Sequence, residues 1–293
     1  QDLSASLNDL GDGILNVEFH SILQPKLHPI DSSYISIINH ALDLVENDKY
    51  KGVVIGHQGA NFCAGANLNL LLELSKGDQW KALDFAVKTL QYTTQRIRFS
   101  SGPVVATPFQ LVLGGGVEII QPATHRIAAA ETYMGLVEVG VGLIPGGGGS
   151  KEFALRISDG FYEGDVKTPM LIDHFKSIAT AAVSTSASEA FDLHYLLDTR
   201  DSISYNVQRN IGLAKDKVLE LAKDYIPPSP REDIEVLGRS GMGVLYSAIN
   251  EYRLGGYMSE YDKEIAEKLA YVICGGDLTS PEKVSEKYLL DIE

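Results

Sequence analysis

Pro103-Val104-Val105-Ala106-Thr107, followed after six intervening residues by Gly114-Gly115-Gly116-Val117-Glu118-Ile119-Ile120 and closed by Pro122, is the stretch whose reading decides the fold. The first run is short, apolar and rich in β-branched residues, as a strand buried on both faces requires. The triple glycine lets the chain bend sharply and approach a ligand closely, and Pro122 cannot continue the short helix expected over residues 117–120. A carboxyl at Glu118, set among apolar residues, is costly to keep ionised, so its pKa is expected to rise. The same grammar recurs upstream, where Val53-Val54-Ile55 reads as a buried strand and Gly65-Ala66-Asn67 leads into a helix over residues 68–74 with Asn67 as its cap. Amides exposed at two such turns can point at one carbonyl oxygen and stabilise charge that develops on it. Two ordinary strand-to-helix turns are the plainer alternative.

A second glutamate, Glu138, lies in Gly135-Leu136-Val137-Glu138-Val139-Gly140, just before Gly142-Leu143-Ile144-Pro145-Gly146-Gly147-Gly148-Gly149. Paired carboxyls with separated pKa values do acid and base chemistry. Nucleotide readings of these glycines fail. Gly149 is followed by Ser150 and then Lys151, which breaks the phosphate-loop order, and Pro145 stands where a third glycine of the dinucleotide fingerprint belongs. Gly146 to Gly149 reads instead as a tight loop before a helix.

Outward from these blocks, residues 15–20 alternate like a strand, and Ile35, Ile38, Leu42 and Val45 recur at helical spacing behind the capping candidates Asp31 and Ser32. A long helix is expected between Asp78 and Phe99 and a strand from His125 to Ala130. Beyond Lys151 the pattern turns helical, with expected helices within 165–186, at 207–223, at 244–253 and at 262–273, and with the stiff Ile226-Pro227-Pro228-Ser229-Pro230 break between them. The pattern predicts an α/β core over residues 1–200 and a helical C-terminal region over 201–293.

The 39 acidic and 25 basic residues among 293 give a net charge of -14, which disfavours nucleic acid and anionic membrane as partners. No transmembrane run or signal peptide is read, and Cys63 and Cys274 are expected to be free thiols in a reducing compartment, so a cytoplasmic location is expected. The chain begins at Gln1, which leaves processing and excision from a longer chain open. The seven histidines show no ligand spacing, so no metal is expected. His57, after an apolar strand, reads as a core or loop histidine rather than a catalyst. Gly-x-Ser-x-Gly is absent. Tyr252, Tyr257 and Tyr261 read as helix packing, with a lid over a ligand as the other reading.

Together, Asn61-Phe62-Cys63-Ala64-Gly65-Ala66-Asn67-Leu68, the block from Pro103 to Glu118, and the block from Gly135 to Gly149 resemble the crotonase or enoyl-CoA hydratase family in order and spacing. More narrowly, residues 131–140 and the Cys274-Gly275-Gly276-Asp277-Leu278 region resemble the hydratase half of bifunctional 3-hydroxyacyl-CoA dehydrogenases. The resemblance implies a spiral of ββα units, an acyl-CoA thioester as substrate rather than a cofactor, and β-oxidation chemistry. It implies that the amides of Ala66 and Gly115 bind the thioester oxygen, that Glu118 and Glu138 are catalytic, and that Ala64 and Gly65 contact substrate. Lys26 is the candidate for the CoA phosphates. A dehydrogenase portion of the same polypeptide and a homo-oligomer are further implied partners. The chain departs from the family pattern at Asn67, where aspartate is common, and beyond Pro230. Isomerase activity, or a silent acyl-CoA-binding module, are the competing readings.

Overall fold

A computed structural model describes residues 3–22 and 24–293. The elements run in chain order as β1 (Ala5–Asp9), β2 (Ile14–Phe19), α1 (Ser32–Glu46), β3 (Gly52–Ile55), α2 (Leu68–Lys76), α3 (Trp80–Arg98), β4 (Val104–Ala106), β5 (Gln110–Leu113), α4 (Gly115–Ile120), β6 (His125–Ala129) and β7 (Thr132–Gly135). A 3-10 turn (Glu138–Val141) leads to α5 (Gly149–Asp159), α6 (Thr168–Ala179), α7 (Ala187–Asp192), β8 (Ser202–Ser204) and α8 (Asn210–Leu221). Then come β9 (Ile234–Val236), α9 (Gly238–Leu254), α10 (Glu260–Ile273), β10 (Glu282–Val284) and α11 (Glu286–Ile292). The chain forms two compact units, one of residues 1–134 with 184–229 and the other of residues 135–183 with 230–293.

In the first unit a six-stranded sheet has the order β1-β2-β3-β4-β6-β8. Only β1 and β2 pair antiparallel; the remaining pairs are parallel. Parallel neighbours need crossovers, and helices supply them. Asp31 caps α1 by accepting from the Tyr34 N–H, and the face carrying Ile37, Ile38, Ala41, Leu42 and Val45 is buried. The spacing that predicts this helix is therefore the spacing of its buried stripe. Ile14, Val54, Val105 and Ile127, one from each of four adjacent strands, pack with Ala214 and Val218 of α8. Strand β8 and helix α8 thus belong to this unit. The helix expected from Val207 begins at Asn210, behind a separate 3-10 turn over Val207–Arg209.

The spiral is visible in the order of elements. After β4 the chain makes β5 and then α4; after β6 it makes β7, which pairs with β5 in a two-stranded sheet. After β3, Cys63 bridges Val112 of β5 before α2 begins. Each pass therefore places one strand in the large sheet, one segment that is β5 or pairs with it, and one helical segment after it.

The second unit is mainly helical, with an antiparallel β9-β10 pair. Its core joins Ala154 and Leu155 of α5 to Ile234, Val236, Val284 and Leu289. Cys63 and Cys274 are free and buried, as the sequence leads one to expect. Among the described residues no helix is long and apolar enough to cross a membrane.

Candidate active site

The three glycines before Glu118 serve three different needs. Gly114 has φ 51° and ψ -124°, a conformation that side chains resist. A β-carbon on Gly116 would lie 2.6 Å from the Cys63 carbonyl oxygen, so close packing excludes one there. At Gly115 the space beside the backbone is bordered by Ile30 Cδ1 at 2.8 Å, Ala66 N at 3.7 Å and Glu118 Oε2 at 3.7 Å from the position a β-carbon would take.

That last point brings Ala66, Gly115 and Glu118 around one small space. Pairing of residues 61–63 with β5 creates it: Phe62 and Cys63 both donate to the Leu111 carbonyl at 3.1 Å, and Leu113 donates back to Cys63 at 2.9 Å. Gly65 then turns with φ +90°, its missing side chain leaving room for the Leu113 carbonyl and the Gly115 amide. Asn67 caps α2 by accepting from the Leu70 N–H at 3.3 Å, which fixes the direction in which the chain leaves Ala66. Among the described residues, neither the Ala66 nor the Gly115 N–H donates to a carbonyl. Glu118 is 4% exposed and sits in the first turn of α4, its own N–H donating to Gly114 at 3.1 Å. Two backbone amides without a carbonyl partner and one buried carboxyl group meet at this place, with the Ile30 side chain closing one side of it, an arrangement suited to a carbonyl whose oxygen gains charge.

The other candidates lie as follows. Ala64 is half-buried and donates to the Leu27 carbonyl at 2.8 Å, and the Gly65 carbonyl accepts from Ile30 at 2.8 Å. These bonds tie the loop carrying Lys26 to the Ala64–Ala66 segment. Lys26 itself is exposed, and its carbonyl accepts from the Asn61 side chain at 2.7 Å. Leu23, the first residue of that loop, lies outside the described residues. Glu138 belongs to the second unit, half-buried at the start of its 3-10 turn, whose last residue is followed by Gly142 at φ 79°. Ile30 was missed in the sequence. It precedes the Asp31 cap, and no periodic pattern marks it as lining a site.

Two other reactive-looking side chains are disposed of by burial. Burial pushes the Cys63 thiol up to about 12, far from a thiolate at neutral pH. His57 is pushed down to about 4, chiefly by burial, and its Nε2 contacts the Phe62 carbonyl at 2.9 Å. Both are packing residues, with His57 in the core role that its sequence context suggests.

The family model for enoyl-CoA hydratase/isomerase matches residues 23–160. The chain belongs to the crotonase family. A Bacillus subtilis protein named probable 3-hydroxyacyl-CoA dehydrogenase is 43% identical over 289 residues, covering 99% of this chain and 36% of that protein. The chain therefore spans about a third of that relative's length. A human mitochondrial methylglutaconyl-CoA hydratase is 25% identical over 203 residues, 69% of this chain and 53% of the relative. Among solved structures, an enoyl-CoA hydratase from Bacillus anthracis matches with a TM-score of 0.60 at 20% identity, covering 92% of this chain and 90% of that one. The fold is thus the crotonase fold, as the three sequence blocks imply, and the chain is a crotonase-family enzyme.

Proposed function

We propose that this crotonase-family enzyme is an enoyl-CoA hydratase, adding water to trans-2-enoyl-CoA to give 3-hydroxyacyl-CoA in β-oxidation. The observation that carries the reading is the meeting of three groups at Gly115, where Ala66 N and Glu118 Oε2 each lie 3.7 Å from the position a β-carbon on Gly115 would take. A thioester oxygen held by the Ala66 and Gly115 amides makes the β-carbon of the enoyl group electrophilic. Glu118 takes a proton from water as the water oxygen bonds to that carbon. The electron pair of the double bond moves onto the thioester oxygen, where the two amides stabilise it. Glu138, assigned the acid by the family resemblance of its block, delivers a proton to the α-carbon and ends as carboxylate. Proton exchange with solvent resets both groups. Ala64 and Gly65 are assigned to substrate contact and Lys26 to the CoA phosphates.

The family also contains isomerases, and Glu118 is what separates the readings, since moving a double bond needs one acid-base group whereas adding water calls for a second. The name of the longer Bacillus subtilis relative supports a dehydrogenase portion on the same polypeptide, and the two buried free cysteines support a reducing, cytoplasmic setting.

The test is loss of the conjugated-thioester absorbance when the protein meets crotonyl-CoA. Glu118→Gln and Glu138→Gln should each lower kcat by about two to four orders of magnitude with little change in acyl-CoA binding. Wild type that leaves crotonyl-CoA untouched but isomerises a 3-enoyl-CoA would replace hydration by isomerisation.

A further inference from the structure

We propose that the C-terminal helices position Glu138 by pinning both ends of the segment that follows it, through Tyr261 at Gly142 and Glu293 at Gly148. The inference rests on the hydratase reading for its catalytic consequence, and on contacts within the second unit for its geometry. Glu138 begins a 3-10 turn that closes on itself: Gly142 donates to Val139 at 3.1 Å, and Leu143 donates to the carbonyl of Glu138 at 3.0 Å. The orientation of Glu138 is therefore set by how firmly Gly142 is held in its left-handed conformation.

Tyr261 holds it. Its ring carbon lies 2.8 Å from where a β-carbon of Gly142 would sit, and its hydroxyl donates to the Gly142 carbonyl at 3.5 Å. Tyr261 is in the first turn of α10, which a reciprocal cap fixes: the Asp262 N–H donates to Ser259 Oγ at 3.1 Å and the Ser259 N–H to Asp262 Oδ2 at 2.9 Å. At the other end, Gly148 opens α5 with no side chain of its own to cap the helix. Glu293, directly after α11, supplies the cap, accepting from the Gly148 N–H at 2.7 Å and from the Lys151 N–H at 2.9 Å. A carboxylate bridging two amides at a helix N-terminus is held by charge as well as by hydrogen bonds. Helix α11 is anchored in turn, because buried Glu286 accepts from Lys151 Nζ at 3.3 Å and from the Arg231 N–H at 3.3 Å. Between the pins, Ser150 Oγ donates to the Pro145 carbonyl at 2.9 Å and stiffens the loop.

The experiment measures backbone hydrogen exchange and crotonyl-CoA hydration on Tyr261→Ala, Tyr261→Phe, Glu293→Ala and Glu293→Gln, with Tyr257→Ala as a surface control. The alanine variants should speed exchange at Gly142 and Leu143, or at Gly148 and Lys151, by about tenfold or more. They should lower kcat by about tenfold at nearly constant KM, and shift the limb of the pH profile that Glu138→Gln removes. Tyr261→Phe keeps the ring and Glu293→Gln keeps one acceptor, so both should recover most of the loss, while Tyr257→Ala should change neither readout. Unchanged exchange in the alanine variants overturns the clamp, as does faster exchange with an unaltered kcat and pH profile. If wild type hydrates no enoyl-CoA, the hydratase reading fails, and the clamp is then judged by exchange alone.

Discussion

His57 shows how a single residue's chemistry is set by its surroundings. It is 4% exposed and packs its ring against His28, Phe62 and Phe109 with centroids 4.9, 5.4 and 5.2 Å away. The Phe62 carbonyl can only accept, so Nε2 carries the proton of the neutral ring. Burial lowers the pKa to about 4, against an ordinary value of 6.5. The unfolded chain therefore binds this proton more readily than the folded one. The stability contributed is fully present above pH 6.5 and is lost as pH falls from there toward 4, up to about 3 kcal/mol in all. Denaturant titrations at a series of pH values should show a shallower acid slope for His57→Phe than for wild type; equal slopes would mean the imidazole is not held neutral by the fold.

At the scale of elements, one ion pair fastens β6 to the chain that leads into β8. Arg126 and Asp201 are fully buried and paired, with Arg126 Nε and the Arg126 N–H donating to Asp201 Oδ1 at 2.9 and 3.0 Å. Asp201 also accepts from the Leu197 N–H at 2.7 Å, and Arg126 donates to the Gln121 carbonyl at 2.7 Å. Burial alone would raise the carboxyl's pKa, but the guanidinium outweighs it and the net direction is down. Removing one partner leaves the other charged and buried, so Asp201→Ala should cost about 3–5 kcal/mol, and the double change Arg126→Met with Asp201→Leu should cost much less. Chemical denaturation of the three proteins checks this; a double variant as damaged as the single one would show that the pair does more than satisfy itself. Neither residue stands out in the sequence. Strand β8, with only Ser202, Ile203 and Ser204, is likewise too short to show a period, as are β9 and β10, whereas β1 shows none because its residues pass from buried at Ala5 and Ser6 to exposed at Asn8 and Asp9. The longer helices α1, α9 and α10 were legible because each repeats its buried positions over more than two turns.

For the molecule as a whole, hydration driven by backbone amides and carboxyl groups needs neither metal nor nicotinamide. Crotonyl-CoA turnover should therefore survive exhaustive chelation and be indifferent to added nicotinamide cofactor, and activity restored only by a divalent cation would count against the proposed chemistry. By itself the sequence determined the fold family and the local turns, because β-branched runs, glycine placement and Asn67 or Asp31 caps act through immediate neighbours. It marked Gly114 to Gly116 as a sharp bend whose backbone can approach a ligand, without saying which neighbour makes each glycine necessary. Only the tertiary structure decided that Gly116 faces the Cys63 carbonyl, that Gly115 lies between Ile30 and Ala66, and that Tyr261 and Glu293 reach Gly142 and Gly148 across 119 and 145 residues. Those contacts join segments far apart in the chain, and which distant faces meet is fixed by the collective burial of apolar surface rather than by any pattern within one segment.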